Sequence, residues 1–303
     1  MSSAKEPLVS VVIASVNGMP SLGECLEHLV NQDGGHAYEV FVVDRCGEAL
    51  RAEVRRRFPQ PEIRVIAAPE GTSIPRLRAM GMAEARGTAI AILEDHCNVN
   101  PRWADTIARL VAKGCEAMGG PVENGAVSRL TDWAVFFVEY APFMPPIPKG
   151  EVPAIAGSSA VYRRAMLDRL GPVWKQEVWE HFLHRRMAEI GVKFVNDPGL
   201  EVEHKKEFGF AYFMSQRYHY SRSFAGMRLH GAPFLKRLGY AGATVLLPPL
   251  LLWRMARTVW AKGNRRGTFV KTSPLLGAFM LSYAWGEAVG ALAGPGDSLA
   301  RVE

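Results

Sequence analysis

Apolar positions in the first two thirds of the chain fall into short continuous runs, separated by stretches with helical spacing. Leu8-Val-Ser-Val-Val-Ile-Ala-Ser-Val16 is nearly unbroken, as a strand buried on both faces of a parallel sheet would be. Asn17-Gly-Met-Pro20 interrupts it. Ser21, with Glu24 three residues on, predicts a capping box for a helix that sets Leu22, Cys25, Leu26 and Leu29 on one face. Glu39–Asp44, Ile63–Ala67 and Ala89–Leu93 read as further strands, and residues 74–86 as a helix. Trp179, Phe182, Leu183, Met187 and Ile190 mark a later helix that Gly191 ends. This alternation predicts an α/β domain over residues 1–206, built on a mixed, mostly parallel sheet flanked by helices.

Two segments depart from that rhythm. Residues 127–153 crowd Trp133, Phe136, Phe137, Tyr140 and Phe143 with Pro142, Pro145, Pro146 and Pro148. They read equally as a loop over a site or as an aromatic helix packed on the core. Residues 207–237 form a connector on the acceptor side. There Gln216-Arg217, Tyr218, His219, Tyr220 and Arg222 either line an acceptor channel or make an amphipathic helix.

From residue 238 to 303 the chain becomes apolar and helical. Leu238–Trp253 is sixteen residues without a charge and Thr272–Gly286 is fifteen. Both fall short of the about 20 residues of a spanning helix, and Pro248-Pro249 predicts a kink in the first. The chain carries a net charge of +6, and six basic residues lie between Arg254 and Lys271 without an acid, so the rest is balanced. Two spanning helices would put that basic loop outside, against the positive-inside rule. The expectation is interfacial or re-entrant helices on an anionic membrane surface, with a soluble helical subdomain as the alternative. Such local charge does not suit nucleic acid, which calls for a broader basic surface.

Composition narrows the class further. At 48% apolar and 22% charged residues the chain is globular, not disordered or disulfide-stapled. Its four cysteines, Cys25, Cys46, Cys97 and Cys115, show no Cys-x-x-Cys spacing, which fits a reducing compartment and no cysteine zinc site. The first apolar run lacks a basic leader and a cleavage site, so no signal peptide is expected. The expected location is the cytoplasmic face of a membrane.

Ligands of parallel sheets bind beyond the carboxyl ends of the strands. Asn17, Asp44 and Glu94-Asp95-His96 fall there. Asp44 suits a nucleobase N–H or a ribose hydroxyl. The acids and imidazole of 94–96 suit Mn²⁺, and carboxylates alone suit Mg²⁺, or the segment is a solvated turn. Glu180 is either a general base or a first-turn carboxylate favoured by the helix dipole. Arg78 pairs with phosphate or is an ordinary helical arginine. His204 is a structural histidine unless a metal site exists beside it.

Together these residues resemble the family 2 glycosyltransferases, which have the GT-A fold. Val9–Asn17 resembles the family's first strand, and Leu22, Cys25-Leu26, Leu29 and Gln32 the helix after it. Val42-Val43-Asp44 matches Val-Val-Asp-Asp with Arg45 in the last place, and Arg78-x-x-Gly81 matches Ala-Arg-Asn-x-Gly with Ala79 for Asn. Leu93-Glu-Asp-His96 occupies the Asp-x-Asp site, and Ala156–Arg164 resembles the acceptor half. Trp179-Glu180 falls on the family's Glu-Asp pair, and Val202-Glu-His204 on the segment whose histidine reaches the metal. The resemblance spans about residues 8–206. It implies inverting transfer from a nucleoside-diphosphate sugar, a UDP-sugar first, to the hydroxyl of a glycan or lipid-linked acceptor. Ala14, Val16, Asn17, Asp44, Arg78, Glu94 and Asp95 would bind the donor. Asp95, His96 and His204 would hold Mn²⁺ or Mg²⁺, and Glu180 would be the base. The alternative is a non-catalytic scaffold or partner subunit that binds the sugar nucleotide.

Overall fold

A computed structural model describes residues 8–35 and 37–302. In chain order its elements are β1 (Val9–Ser15), α1 (Ser21–Val30), β2 (Tyr38–Asp44), α2 (Glu48–Arg57), β3 (Ile63–Ala67), α3 (Ile74–Glu84), β4 (Ala89–Glu94), β5 (Cys97–Val99), α4 (Trp103–Ala112), β6 (Ala117–Gly119) and β7 (Val122–Asn124). There follow α5 (Leu130–Tyr140), β8 (Gly150–Val152), β9 (Val161–Arg163), α6 (Arg164–Arg169), α7 (Glu180–Glu189), β10 (Phe194–Asn196) and β11 (Val202–His204). The last helices are α8 (Phe210–Arg228), α9 (Phe234–Ala243), α10 (Leu247–Lys262) and α11 (Arg266–Ala293). The chain forms two compact units, Met1–Glu123 with Phe143–Lys205, and Asn124–Pro142 with Lys206–Glu303. Residues 124–142, read from sequence as part of the first domain, thus belong to the second unit.

Among the described residues the first unit holds a sheet in the order β3-β2-β1-β4-β9-β6-β10-β8, and β5-β11-β7 form a smaller sheet. β3, β2, β1 and β4 run parallel, while β9 is antiparallel to both β4 and β6. The fold is therefore a mixed sheet with a parallel half. β1 is buried along its whole length and β2 at all but its first residue, which explains their unbroken apolar runs. The parallel register places Ser15 beside Asp44 and Ala14 beside Glu94, so three strand ends open at one edge.

Local chemistry sets the helix positions. α1 buries Leu22, Cys25, Leu26 and Leu29, but Ser21 makes no cap; Pro20 occupies the N-cap position without a side-chain bond. α3 is capped by Ser73, whose hydroxyl accepts from the Arg76 N–H, and Pro75 supplies a preset φ in its first turn. Gly81 lets α3 settle onto the sheet, since a Cβ there would lie 2.5 Å from Val12 Cγ1 and 3.0 Å from Val43 Cγ2. In α7, Leu183 and Met187 are buried, whereas Ile190 is exposed at the last turn.

The second unit is helical. The aromatic segment is α5, a packed helix and not a loop, with Phe136 and Phe137 buried. Phe137 meets Phe269 of α11 with ring centroids 5.3 Å apart. α8 and α11 cross closely at Gly286 and Gly290, where a Cβ would lie 2.3 Å from the carbonyl oxygens of Tyr218 and Arg222. Gln216 and Arg217 are buried inside this unit, with the Arg217 guanidinium over the Phe213 and Tyr220 rings. The 210–228 segment is thus a helix packed within this unit through Phe213, Gln216 and Arg217, with Tyr218, His219, Tyr220 and Arg222 half-buried. Pro248 and Pro249 do not kink an apolar run. They open α10, where a missing N–H costs nothing. Among the described residues, α11 is the helix long and apolar enough to cross a membrane.

Gly81→Ala forces a methyl group into Val12 and Val43. A loss of about 1–3 kcal/mol of stability is expected in urea unfolding, and an unchanged midpoint would contradict the close packing of α3.

Candidate active site

The site is built at the open edge of the parallel strands. β4 ends on Glu94, the chain turns through Asp95 and His96, and β5 leaves antiparallel to β11. Cys97 pairs with His204 in that register, which brings a histidine from 108 residues away against His96. The two Nε2 atoms are 2.9 Å apart and the rings stand edge to face at 87°. Glu94 Oε2 lies 3.4 Å from His96 Nε2 and 3.8 Å from His204 Nε2. One donor atom from each of Glu94, His96 and His204 lies within 4.8 Å of the other two, so these three side chains are able to hold a cation.

Asp95 is not part of this cluster. Its Oδ2 accepts the Val16 N–H at 2.8 Å and the Asn17 N–H at 2.9 Å. Its Oδ1 accepts Asn17 Nδ2 at 2.6 Å and His96 Nδ1 at 2.9 Å. Asp95, expected from the sequence to be a metal ligand, meets these four donors, while the donor atoms that converge within 4.8 Å are those of Glu94, His96 and His204. Asp95 instead fixes the ring of His96 and the loop after β1. Val16 and Asn17 meet Asp95 through backbone N–H groups, and Ala14 is buried in β1.

Asp44 is also occupied. It accepts from Ser15 Oγ at 3.1 Å, the Cys46 and Gly47 N–H groups at 3.0 and 3.1 Å, and Arg51 Nη1 at 3.0 Å. It closes the turn into α2, and a nucleoside would have to replace one of these donors.

Arg78, presented by α3, links the cluster to Glu180. Its Nη2 donates to Glu94 Oε1 at 3.1 Å and its Nη1 pairs with Glu180 Oε1. Only 5% of the guanidinium side chain is exposed, and its Nε finds no hydrogen-bond partner among the described residues. Glu180 begins α7 and lies beside Gly157, where a Cβ would approach the Glu180 Cβ to 3.2 Å. The adjacent Ser158 and Ser159 hydroxyls are buried, and neither has a hydrogen-bond partner among the described residues.

Charge accounts for the titration of the site. Burial opposes ionisation of Glu94, yet hydrogen bonds and charge from His96, then the charges of Arg78 and His204, hold it far below the usual carboxylate range. Burial also opposes protonation of His96, but Asp95 and Glu94 raise it to about 9. The 2.9 Å contact between His96 Nε2 and His204 Nε2 holds one proton. Once that proton leaves, the same two nitrogens would offer their lone pairs to a cation. Three carboxylates against the guanidinium and a protonated His96 leave an excess of one negative charge, which becomes two when His96 gives up its proton and then suits a divalent ion.

Two features escaped the sequence reading. Ser73 Oγ donates to Glu177, tying the start of α3 to the segment before α7. Tyr162 Oη shares a 2.7 Å hydrogen bond with His184 Nε2, one turn beyond Glu180, so β9 anchors the helix that carries the candidate base. The sequence signal for the second was the four-residue spacing from Glu180 to His184, which places both on one helix face.

A mixed sheet with a cation cluster and a carboxylate at the open strand edge is the arrangement of a GT-A fold. The sequence model of glycosyl transferase family 2 matches residues 10–171, and the chain belongs to that family. A stretch of 118 residues is 29% identical to the succinoglycan biosynthesis protein ExoO of Rhizobium meliloti (strain 1021), covering 39% of this chain. The match spans 32% of that relative's length, about a third. Among solved structures the fold is similar to a mannosyltransferase, PcManGT from Pyrobaculum calidifontis, in complex with GDP-Man and Mn²⁺. That likeness has a TM-score of 0.58 at 18% identity over 94% of this chain and 88% of that one. TarS 1-349 of S. aureus is similar with a TM-score of 0.50 at 13% identity, over 93% and 90% of the chains. These structural likenesses are of fold.

Burial lowers His184 to about 4. A depressed imidazole contributes stability that is whole above about pH 6.5 and is lost as pH falls through about 4. His184→Gln removes the titration but keeps a polar partner for Tyr162. The stability difference between wild type and variant is expected to change by about 2 kcal/mol between pH 7 and pH 4 in denaturant titrations. A difference independent of pH would show that His184 is not held neutral.

Proposed function

We propose that the protein transfers a sugar from a nucleoside-diphosphate sugar, a UDP-sugar in the first instance, to an acceptor hydroxyl with inversion at the anomeric carbon. The observation that carries this reading is the guanidinium of Arg78, shared between Glu180 and Glu94. In this reading a candidate proton acceptor and a candidate cation ligand flank one side chain.

In the proposed reaction the acceptor oxygen attacks the anomeric carbon, and the bond to the diphosphate breaks on the opposite face. Glu180 takes the proton of the attacking hydroxyl. Its place at the first turn of α7, beside Gly157, orients the carboxylate. A divalent ion, Mn²⁺ or Mg²⁺, held by Glu94, His96 and His204 would neutralise charge on the departing diphosphate. Asp95 keeps His96 and the β1 loop in position. Arg78 holds Glu180 and Glu94 apart as like charges and is the cation nearest to both.

Full-length protein offered a panel of UDP-, GDP- and dTDP-sugars, with Mn²⁺, Mg²⁺ or chelator, tests the reading by calorimetric binding and nucleotide release. Metal-dependent release from one donor is the expected result. Glu180→Gln is expected to lower turnover at least a hundredfold while donor affinity stays within about threefold. Full turnover in that variant removes Glu180 from the mechanism. His96 and Arg45, each standing where the family has an acid, favour a second reading, a scaffold that binds sugar nucleotide without turnover. Donor binding with no release, even in the presence of lipid extracts, would select it.

We further propose that the second unit rests on the anionic cytoplasmic leaflet of a membrane, where a lipid-linked acceptor would be reached. Leu246, Leu250, Trp253 and Trp260 are exposed in and just before α10 at helical spacing, and Leu281 and Trp285 are exposed on α11. Arg254, Arg257, Arg265, Arg266 and Lys271 are exposed in the same region. Apolar residues beside cations suit an in-plane helix on anionic lipid. Co-sedimentation with phosphatidylglycerol vesicles is expected to exceed that with phosphatidylcholine at least tenfold and to fall on Trp253→Ser with Trp285→Ser. Equal, weak binding to both vesicle types would place this surface elsewhere.

A further inference from the structure

The donor atoms at the end of β4 are unusual in kind: two of the three are imidazole nitrogens. His96 Nε2 and His204 Nε2 are 2.9 Å apart. Two bonds of about 2.1 Å at the tetrahedral angle span about 3.4 Å, so the hydrogen-bonded pair needs to open by only about 0.5 Å to ligate one ion. Asp95 holds the far nitrogen of His96 at 2.9 Å, and a histidine fixed by a carboxylate through one nitrogen presents the other as a ligand. Glu94 gives one oxygen to Arg78 and turns the other toward the imidazoles. Asp95, the carboxylate that would add a second hard oxygen, is filled by four donors.

Mg²⁺ demands oxygen ligands and near-octahedral geometry, and it gives up water reluctantly. Imidazole suits the first-row transition ions. We infer that Glu94, His96 and His204 form a two-nitrogen, one-carboxylate centre that takes a transition ion such as Co²⁺, Zn²⁺ or Mn²⁺ and discriminates against Mg²⁺. This rests on the reading of the cluster as a cation site and narrows the ion offered above.

Full-length protein stripped with chelator is titrated with Co²⁺ without any donor, and the visible ligand-field bands of bound Co²⁺ are followed. Mg²⁺ is then added as competitor. One equivalent of Co²⁺ is expected to bind and to resist about a hundredfold excess of Mg²⁺. His204→Ala is expected to weaken Co²⁺ binding at least tenfold. His204→Asp, which exchanges a nitrogen for a carboxylate oxygen, is expected to let Mg²⁺ compete at least tenfold better. Circular dichroism checks that both variants are folded. Displacement of Co²⁺ by Mg²⁺ near equal concentration in the wild type overturns the inference, as do Co²⁺ bands indifferent to His204→Ala. If sugar-nucleotide binding and release persist with Mg²⁺ or chelator while Co²⁺ finds no site, this inference fails and the transferase reading stands. A Co²⁺ site in protein that binds no donor leaves the inference standing and removes the transferase reading.

Discussion

A single buried carboxylate organises the functional edge of the first unit. Asp95 is almost fully enclosed and accepts two backbone N–H groups from the loop after β1, the amide of Asn17 and the ring of His96. An ionised carboxylate in that position is tolerable only because every lone-pair direction is met. The contacts join the ends of β1 and β4, which are neighbours in the sheet, and they set the rotation of His96. The direction of the histidine nitrogen that meets His204 is therefore a consequence of how Asp95 is satisfied.

The same logic extends through Arg78. A buried guanidinium is costly unless paired, and here Glu94 and Glu180 flank it. Burial opposes the charge, but the two carboxylates hold the Arg78 proton even more firmly than usual. Gly81, one turn further along α3, allows the helix to lie close enough to the sheet for this reach. Gly157 provides the corresponding room beside Glu180. Two missing side chains thus help to place two charged ones, and substitution at either glycine acts on the site through packing.

The second unit obeys a different constraint. α8 and α11 approach at Gly286 and Gly290 so closely that backbone meets backbone. Glu287, between them in sequence, is buried and receives the Tyr240 hydroxyl. An apolar helix with an enclosed, hydrogen-bonded acid is organised for packing within its own unit. Its exposed face carries Leu281 and Trp285, which the packing leaves uncovered.

The sequence alone determined the parallel strands, because burial on both faces demands unbroken apolar runs, and it placed acids and an imidazole at their carboxyl ends. It also located Glu180 at a helix start and His204 at the end of a short strand. The direction of each side chain was decided by tertiary structure. Glu94, Asp95 and His96 are consecutive, and which of them faces the cluster depends on the turn after β4 and on donors supplied by the loop after β1, 78 and 79 residues away. His204 joins them through a β5–β11 register that no local pattern specifies. Ser21 shows the same limit at a smaller scale: the capping pattern is present, yet Pro20 occupies the N-cap position. Local composition fixes which residues are available to a site, and long-range hydrogen bonding selects among them, because a buried polar group takes the orientation in which all its partners are met.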